Sequence, residues 1–131
     1  MKIVLCGSRK FTNEIREVAQ KLRDNGHIVF EPFLNKNETI NTLTPDLKKY
    51  AFLGLTLHHF DLIRKSDICL IFNKDGYIRN SVTLELGFAT ALGLPIYALE
   101  EDEEQCRNVL FNFIVKDIDE FLKLINSENK E

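Results

Sequence analysis

The chain has 131 residues, 44% of them apolar and 28% charged, and a net charge of −3. That suffices for one domain with a real core and is too little for two, and the weak acidity leaves no basic footprint for a nucleic-acid polymer. No apolar run reaches membrane-spanning length, and the start MKIVLCGSRKF turns polar too soon for a secretory signal, so a cytoplasmic protein with no membrane partner is expected.

Residues 2–6 form a short apolar run ending in Gly7-Ser8-Arg9, which reads as a buried strand followed by a turn. From 13 to 24, Ile15, Val18, Ala19 and Leu22 recur at helical spacing, with Thr12 as a cap and Asn25-Gly26 as the stop. Ile28-Val29-Phe30, closed by Glu31-Pro32, is a second strand and completes a βαβ unit. Residues 33–43 are rich in Asn and Thr and have no period, so they read as a long connection and a candidate lid. Thr44-Pro45-Asp46 supplies a cap, a proline at the first helical position and an early acid, opening a helix to about Arg64. Its apolar residues between Leu47 and Ile63 cover more than one face, which predicts a homodimer or higher homo-oligomer through residues 47–63.

Residues 67–72 form a third strand, apolar enough to be central in a parallel sheet, and Lys74-Asp75-Gly76 turns the chain. The next helix takes Ser81 as its N-cap and ends near Leu92-Gly93; residues 95–99 follow as strand four. The acidic run 100–104 reads as a solvated loop and helix start, and residues 111–115 as strand five. Asp117 to Glu120 forms a capping box before a last helix with Ile118, Phe121, Leu122 and Ile125 on one face and a frayed tail after about 127. Strands alternating with helices predict an α/β, flavodoxin-like three-layer sandwich on a five-stranded parallel sheet of order 2-1-3-4-5. Ligands of such folds bind outside the carboxyl ends of the strands, at the switch between the first and third.

Cys6, Cys69 and Cys106 are odd in number and widely spaced, which is neither a disulfide framework nor a zinc site, and Cys6 and Cys69 read as buried core thiols. His58 and His59 are adjacent and do not share a helix face, so no metal site and no cofactor is expected. The most telling charge is Glu85, set among Leu84, Leu86, Phe88 and Ala89 about one turn into its helix. The helix dipole favours its ionised form there and desolvation opposes it, and an ionised, poorly hydrated carboxylate is a good nucleophile. The alternative is a glutamate on the solvent side of an ordinary amphipathic helix. Gly7, Ser8 and Arg9 suit a phosphate or a ribose hydroxyl, and Ser81, Arg79, Asn73 and Glu31 reach the same edge. Retaining glycosyl transfer fits an isolated carboxylate, but needs a second group for the leaving base; Asp75 follows strand three at the correct end, whereas Asp67 opens it at the wrong one.

The segment SDICLIFNKDGYIRNSVTLELGFATALGLPIYAL, with the start KIVLCGSRKF, resembles the core of the nucleoside 2-deoxyribosyltransferase superfamily, which includes 2'-deoxynucleoside 5'-phosphate N-hydrolases. The resemblance implies one such domain over 1–131, a flavodoxin-like fold, Glu85 as nucleophile, Gly7 at the sugar-side turn, and oligomers with sites near subunit interfaces. It departs from the transferases at Arg79, where they carry an aspartate six residues before the nucleophile, and in strand one, where an apolar residue replaces a tyrosine. Arg9, Arg79 and Ser81 favour a phosphorylated ligand. The expectation is an N-glycosidase cleaving the base–sugar bond of a nucleotide or (deoxy)nucleoside, by hydrolysis or base exchange. The alternatives are a non-catalytic nucleotide-sensing module of the same fold and an NAD glycohydrolase.

Overall fold

The computed structural model describes residues 1–34 and 38–128, the side chains of Glu38 and Glu128 excepted. In chain order it contains β1 (Lys2–Gly7), α1 (Thr12–Asp24), β2 (Ile28–Phe30), α2 (Glu38–Asn41), α3 (Pro45–Arg64), β3 (Ile68–Phe72), α4 (Asn80–Ala91), β4 (Ile96–Ala98), α5 (Gln105–Asn108), β5 (Phe113–Ile114) and α6 (Ile118–Glu128). The five strands form one sheet of order β2-β1-β3-β4-β5, every neighbouring pair parallel, as the alternation of elements predicts. All five residues of β3 are buried, because a central parallel strand is covered on both faces.

The pleat sorts the core into two halves. Ile3 and Leu5 of β1 join Ile15, Ala19 and Leu22 of α1 and Phe121 and Ile125 of α6 on one face. Val4 and Cys6 join Ile63 of α3 and Val82, Leu86 and Ala89 of α4 on the other. β1 pairs with β2 on one side and β3 on the other, with Gly7 opposite Phe72 at their carboxyl ends, so the crevice of the switch point opens there. A Cβ on Gly7 would stand 2.7 Å from the Cδ1 methyl of Ile15 and 3.1 Å from Cβ of Phe72, so a larger residue there would have to displace the Ile15 side chain and crowd β3.

Several boundaries differ from the sequence expectation. A single 3₁₀ turn, Arg9–Phe11, follows β1, with the Ser8 hydroxyl accepting from the Lys10 amide; Thr12 is the first residue of α1 and donates to the Arg9 carbonyl instead of capping. Residues 38–41 form the short helix α2 within the expected connection, and the lid reading falls partly on 35–37, outside the described residues. The N-cap of α4 is Arg79, in extended conformation, which places Ser81 inside the helix. Within the acidic run, Asp102 is only 5% exposed. Burial pushes its carboxyl up, but two hydrogen bonds from Arg107, at 2.7 and 3.0 Å, and one from the Glu104 amide outweigh that and hold it below the usual range. Asp117 accepts from the Glu120 amide while Glu120 reaches back to the Lys116 amide, a near capping box, and α6 runs to Glu128; the rest of the expected frayed tail, 129–131, lies outside the described residues.

Two features of the helices bear on function. α3 buries only His59 and Ile63, and leaves Leu47, Tyr50, Phe52, Leu53 and Leu57 exposed. α4 turns its carboxylate inward and a leucine outward: Glu85 is 9% exposed and Leu84 60%. No helix among the described residues is long and apolar enough to cross a membrane.

Candidate functional site

An open cleft of about 530 Å³ lies at the carboxyl edge of the sheet, within the size range of small-molecule sites. The end of β1 contributes Gly7, Ser8 and Arg9, the start of α4 contributes Arg79, Asn80 and Ser81, and α3 contributes Phe52, Thr56 and His59. Glu85 lines it from the second turn of α4. Six of the residues expected from sequence are therefore gathered in one place: Gly7, Ser8, Arg9, Arg79, Ser81 and Glu85.

Three are not. Asn73 is fully buried and acts as a clamp: its side-chain amide donates to the Glu100 carbonyl at 2.7 Å, and its oxygen accepts from the Leu99 and Glu100 amides at 2.9 and 3.2 Å. It ties the end of β3 to the end of β4 and is absent from the cleft lining. Glu31 pairs with Arg23 at 2.9 Å, whose other nitrogen donates to the Val29 carbonyl, so Glu31 ties the end of β2 to α1 and is absent from the cleft lining, which this segment joins only at Pro32 and Phe33. Asp75 occupies an exposed left-handed position, φ 58°, in the tight turn after β3, away from the cleft lining. Asp67 lies at the opposite edge, exchanging hydrogen bonds with the backbone of Lys2, as its place at the start of β3 requires.

Glu85 faces two side chains that sequence spacing does not join to it. His59 Nε2 stands 3.7 Å from Glu85 Oε2, and Cys6 Sγ stands 3.5 Å from the same nitrogen and shares a hydrogen bond with the carboxyl. Cys69 on β3 lies behind Cys6, sulfur to sulfur 3.7 Å. Burial pushes the Glu85 carboxyl up to about 8, only partly offset by the Cys6 contact, and burial beside His58 pulls His59 down to about 4. At neutral pH the site therefore holds one proton on Glu85 beside a neutral imidazole, and the two are not an ion pair. The expectation of an ionised Glu85 is corrected: the residue lies beyond the first turn of α4, where the helix dipole has faded and desolvation dominates. Burial also raises the Cys6 thiol, after the larger effect of its contact with Cys69.

The mouth of the cleft is cationic. Arg9 and Arg79 line it; Arg79 Nη1 donates to the Tyr77 hydroxyl at 3.0 Å, and Lys10, outside the lining, lies 4.3 Å over the Tyr77 ring. With the first amides of α4, which no side chain caps, this edge suits an anion. Cys6, His59 and Glu85 also form a group of metal-ligand side-chain types whose donor atoms lie within 4.8 Å of one another, which the His58–His59 spacing did not reveal.

No family model matches the chain, and no curated protein sequence matches it. Its fold is similar to that of a 2-deoxyribosyltransferase from Bacillus psychrosaccharolyticus, with a TM-score of 0.67 and 23% identity over 92% of this chain and 90% of that one. It is also similar to the CMP N-glycosidase BcmB of Clostridium botulinum, at 0.56 and 18% identity, covering 96% and 98% of the two chains. A conserved protein from Enterococcus faecalis V583 matches at 0.51 and 18%, over 95% and 87%. At these identities the likeness establishes the fold.

Proposed function

We propose that this chain is an N-glycosidase of the nucleoside 2-deoxyribosyltransferase superfamily, cleaving the base–sugar bond of a nucleotide with Glu85 as nucleophile. The observation that carries the reading is the buried Glu85 beside His59 in a cleft at the switch point of the sheet. The fold shared with a deoxyribosyltransferase and a CMP N-glycosidase supports it. The cationic lining, Arg9 and Arg79, with the first amides of α4 supports a phosphorylated ligand over a bare nucleoside.

Glu85 and His59 together answer the need for a second group. As the C1'–N bond breaks, the Glu85 oxygen bonds C1', and the proton it held passes through His59 to the departing nitrogen. In the second half, water bonds C1', the carboxylate leaves, and the water proton returns through His59 to Glu85. A second base in place of water turns hydrolysis into base exchange. His59 thereby takes the part that sequence reasoning assigned to Asp75. The exposed apolar face of α3, next to the cleft through Phe52 and Thr56, supports assembly of two copies along that helix.

Incubation with nucleoside monophosphates, the matching nucleosides and NAD, followed by chromatography of free base, tests the reading. Release from the monophosphates, lost in Glu85→Ala, is the expected result. No release from any compound, or release undiminished in Glu85→Ala, overturns it, and a ligand-induced thermal shift without release marks a binding module instead.

A further inference from the structure

Cys6, His59 and Glu85 come from β1, α3 and α4, and their exposures of 0%, 6% and 9% make all three at least nine-tenths buried. They present a thiol sulfur, an imidazole nitrogen and a carboxylate oxygen to one point, each within 4.8 Å of the others. One sulfur, one nitrogen and one oxygen make a donor set for zinc-class cations; magnesium and calcium take oxygen throughout. A tetrahedral zinc ion, with bonds of about 2.3 Å to sulfur and about 2.0–2.1 Å to nitrogen and oxygen, sets its sulfur and nitrogen ligands about 3.6 Å apart and its nitrogen and oxygen ligands about 3.4 Å apart. The corresponding separations here are 3.5 Å and 3.7 Å. Two edges of the tetrahedron thus stand within a few tenths of an ångström of the required length.

The geometry points to a site for a Zn²⁺-class cation held by Cys6 Sγ, His59 Nε2 and the Glu85 carboxylate, whose occupancy withdraws Glu85 from the cleft and shuts off chemistry there. Both His59 and Glu85 line the cleft, so three protein ligands leave the fourth position toward it, for water or a ligand group. On binding, the Cys6 S–H bond breaks, as does the O–H bond of Glu85 where the carboxyl is protonated, and the protons pass to solvent with no change of oxidation state. Cys69, its sulfur 3.7 Å from that of Cys6, sits behind the site, where its S–H can donate to the thiolate. Metal binding at Cys6, His59 and Glu85 does not rest on the glycosidase reading, because it has a readout that needs no turnover.

The experiment is a Co²⁺ titration of the full chain in a Cys106→Ser background, which removes the exposed thiol. A sulfur-to-cobalt charge-transfer band in the near ultraviolet, visible bands of four-coordinate cobalt, saturation at one ion per chain and displacement by Zn²⁺ are expected. Cys6→Ala should abolish the charge-transfer band, Glu85→Gln should weaken binding more than tenfold, and Cys69→Ser should keep the band. Absence of the band in the Cys106→Ser protein overturns the site, as does a band that survives Cys6→Ala or an affinity unchanged in Glu85→Gln. Where base release is found, one equivalent of Zn²⁺ should abolish it and a chelator restore it; turnover unaffected by bound metal refutes the shut-off. Should no base be released at all, the cobalt spectrum still decides the site.

Discussion

Replacing Glu85 with Gln should stabilise the metal-free protein, and by more as pH rises. The folded-state carboxyl titrates near 8 against a usual 4.5, so between those values the folded chain binds the proton that the unfolded chain has released. Stability conferred by the protonated form is complete below about pH 4.5 and is lost as pH climbs through about 8. Converted at the standard constant, the coupling costs about 1 kcal/mol at pH 5, about 3 kcal/mol at pH 7 and on the order of 5 kcal/mol at pH 9. The residue's 9% exposure leaves little solvent to screen this. Gln keeps the shape and cannot ionise, so contacts it loses with Cys6 or His59 shift stability equally at every pH, whereas the ionisation cost it removes grows with pH. Urea melts of both proteins at pH 5, 7 and 9, with a chelator present, should show the variant gaining on the parent by several kcal/mol across that range. A gap constant to within about 0.5 kcal/mol would refute the claim that desolvation governs this carboxyl.

His59→Gln should lower kcat for base release by about 10²–10⁴-fold with little change in KM, since it removes proton transfer and leaves the cleft's cations in place; equal loss in KM alone would point to binding. Asn73→Ala should destabilise by about 1–3 kcal/mol, because it orphans the Leu99 and Glu100 amides, and a chemical melt with unchanged stability would contradict its role as a clamp. The parent should scatter light as a dimer or larger at micromolar concentration, and Leu53→Lys with Leu57→Lys, one turn apart on the exposed face of α3, should give monomers; a monomeric parent would refute assembly through that helix.

The topology was legible because the buried strands carry continuous apolar runs and the helices between them announce themselves, α1 by a clear helical period and α3 by its cap and proline. The cap Thr44-Pro45-Asp46 and the strand Ile28–Phe30 fell where their residues put them. Edges were less legible. β5 shrinks to Phe113–Ile114 because an edge strand with both residues exposed gains little from pairing further. Asn73 and Glu31 sat at the right edge of the sheet, but their hydrogen-bonding capacity was taken by backbone and by Arg23, which spacing along the chain does not reveal. The largest omission was His59. It meets Cys6 and Glu85 only after β1, α3 and α4 pack, 53 and 26 residues away along the chain. One signal was present: His59 and Ile63, four apart, are the only fully inward positions of a helix otherwise apolar on its outer face, and a histidine on the inward stripe needs a polar partner.

In the proposed reaction Glu85 bonds C1' of the sugar. The most direct test of that bond is intact-protein and peptide mass spectrometry after incubation with a nucleoside monophosphate fluorinated at C2', which slows release of a glycosyl-enzyme intermediate. A single added sugar-phosphate mass on the peptide carrying Glu85, absent in Glu85→Gln, is the expected result. Free base released with no adduct on that peptide, or an adduct on another residue, would contradict it.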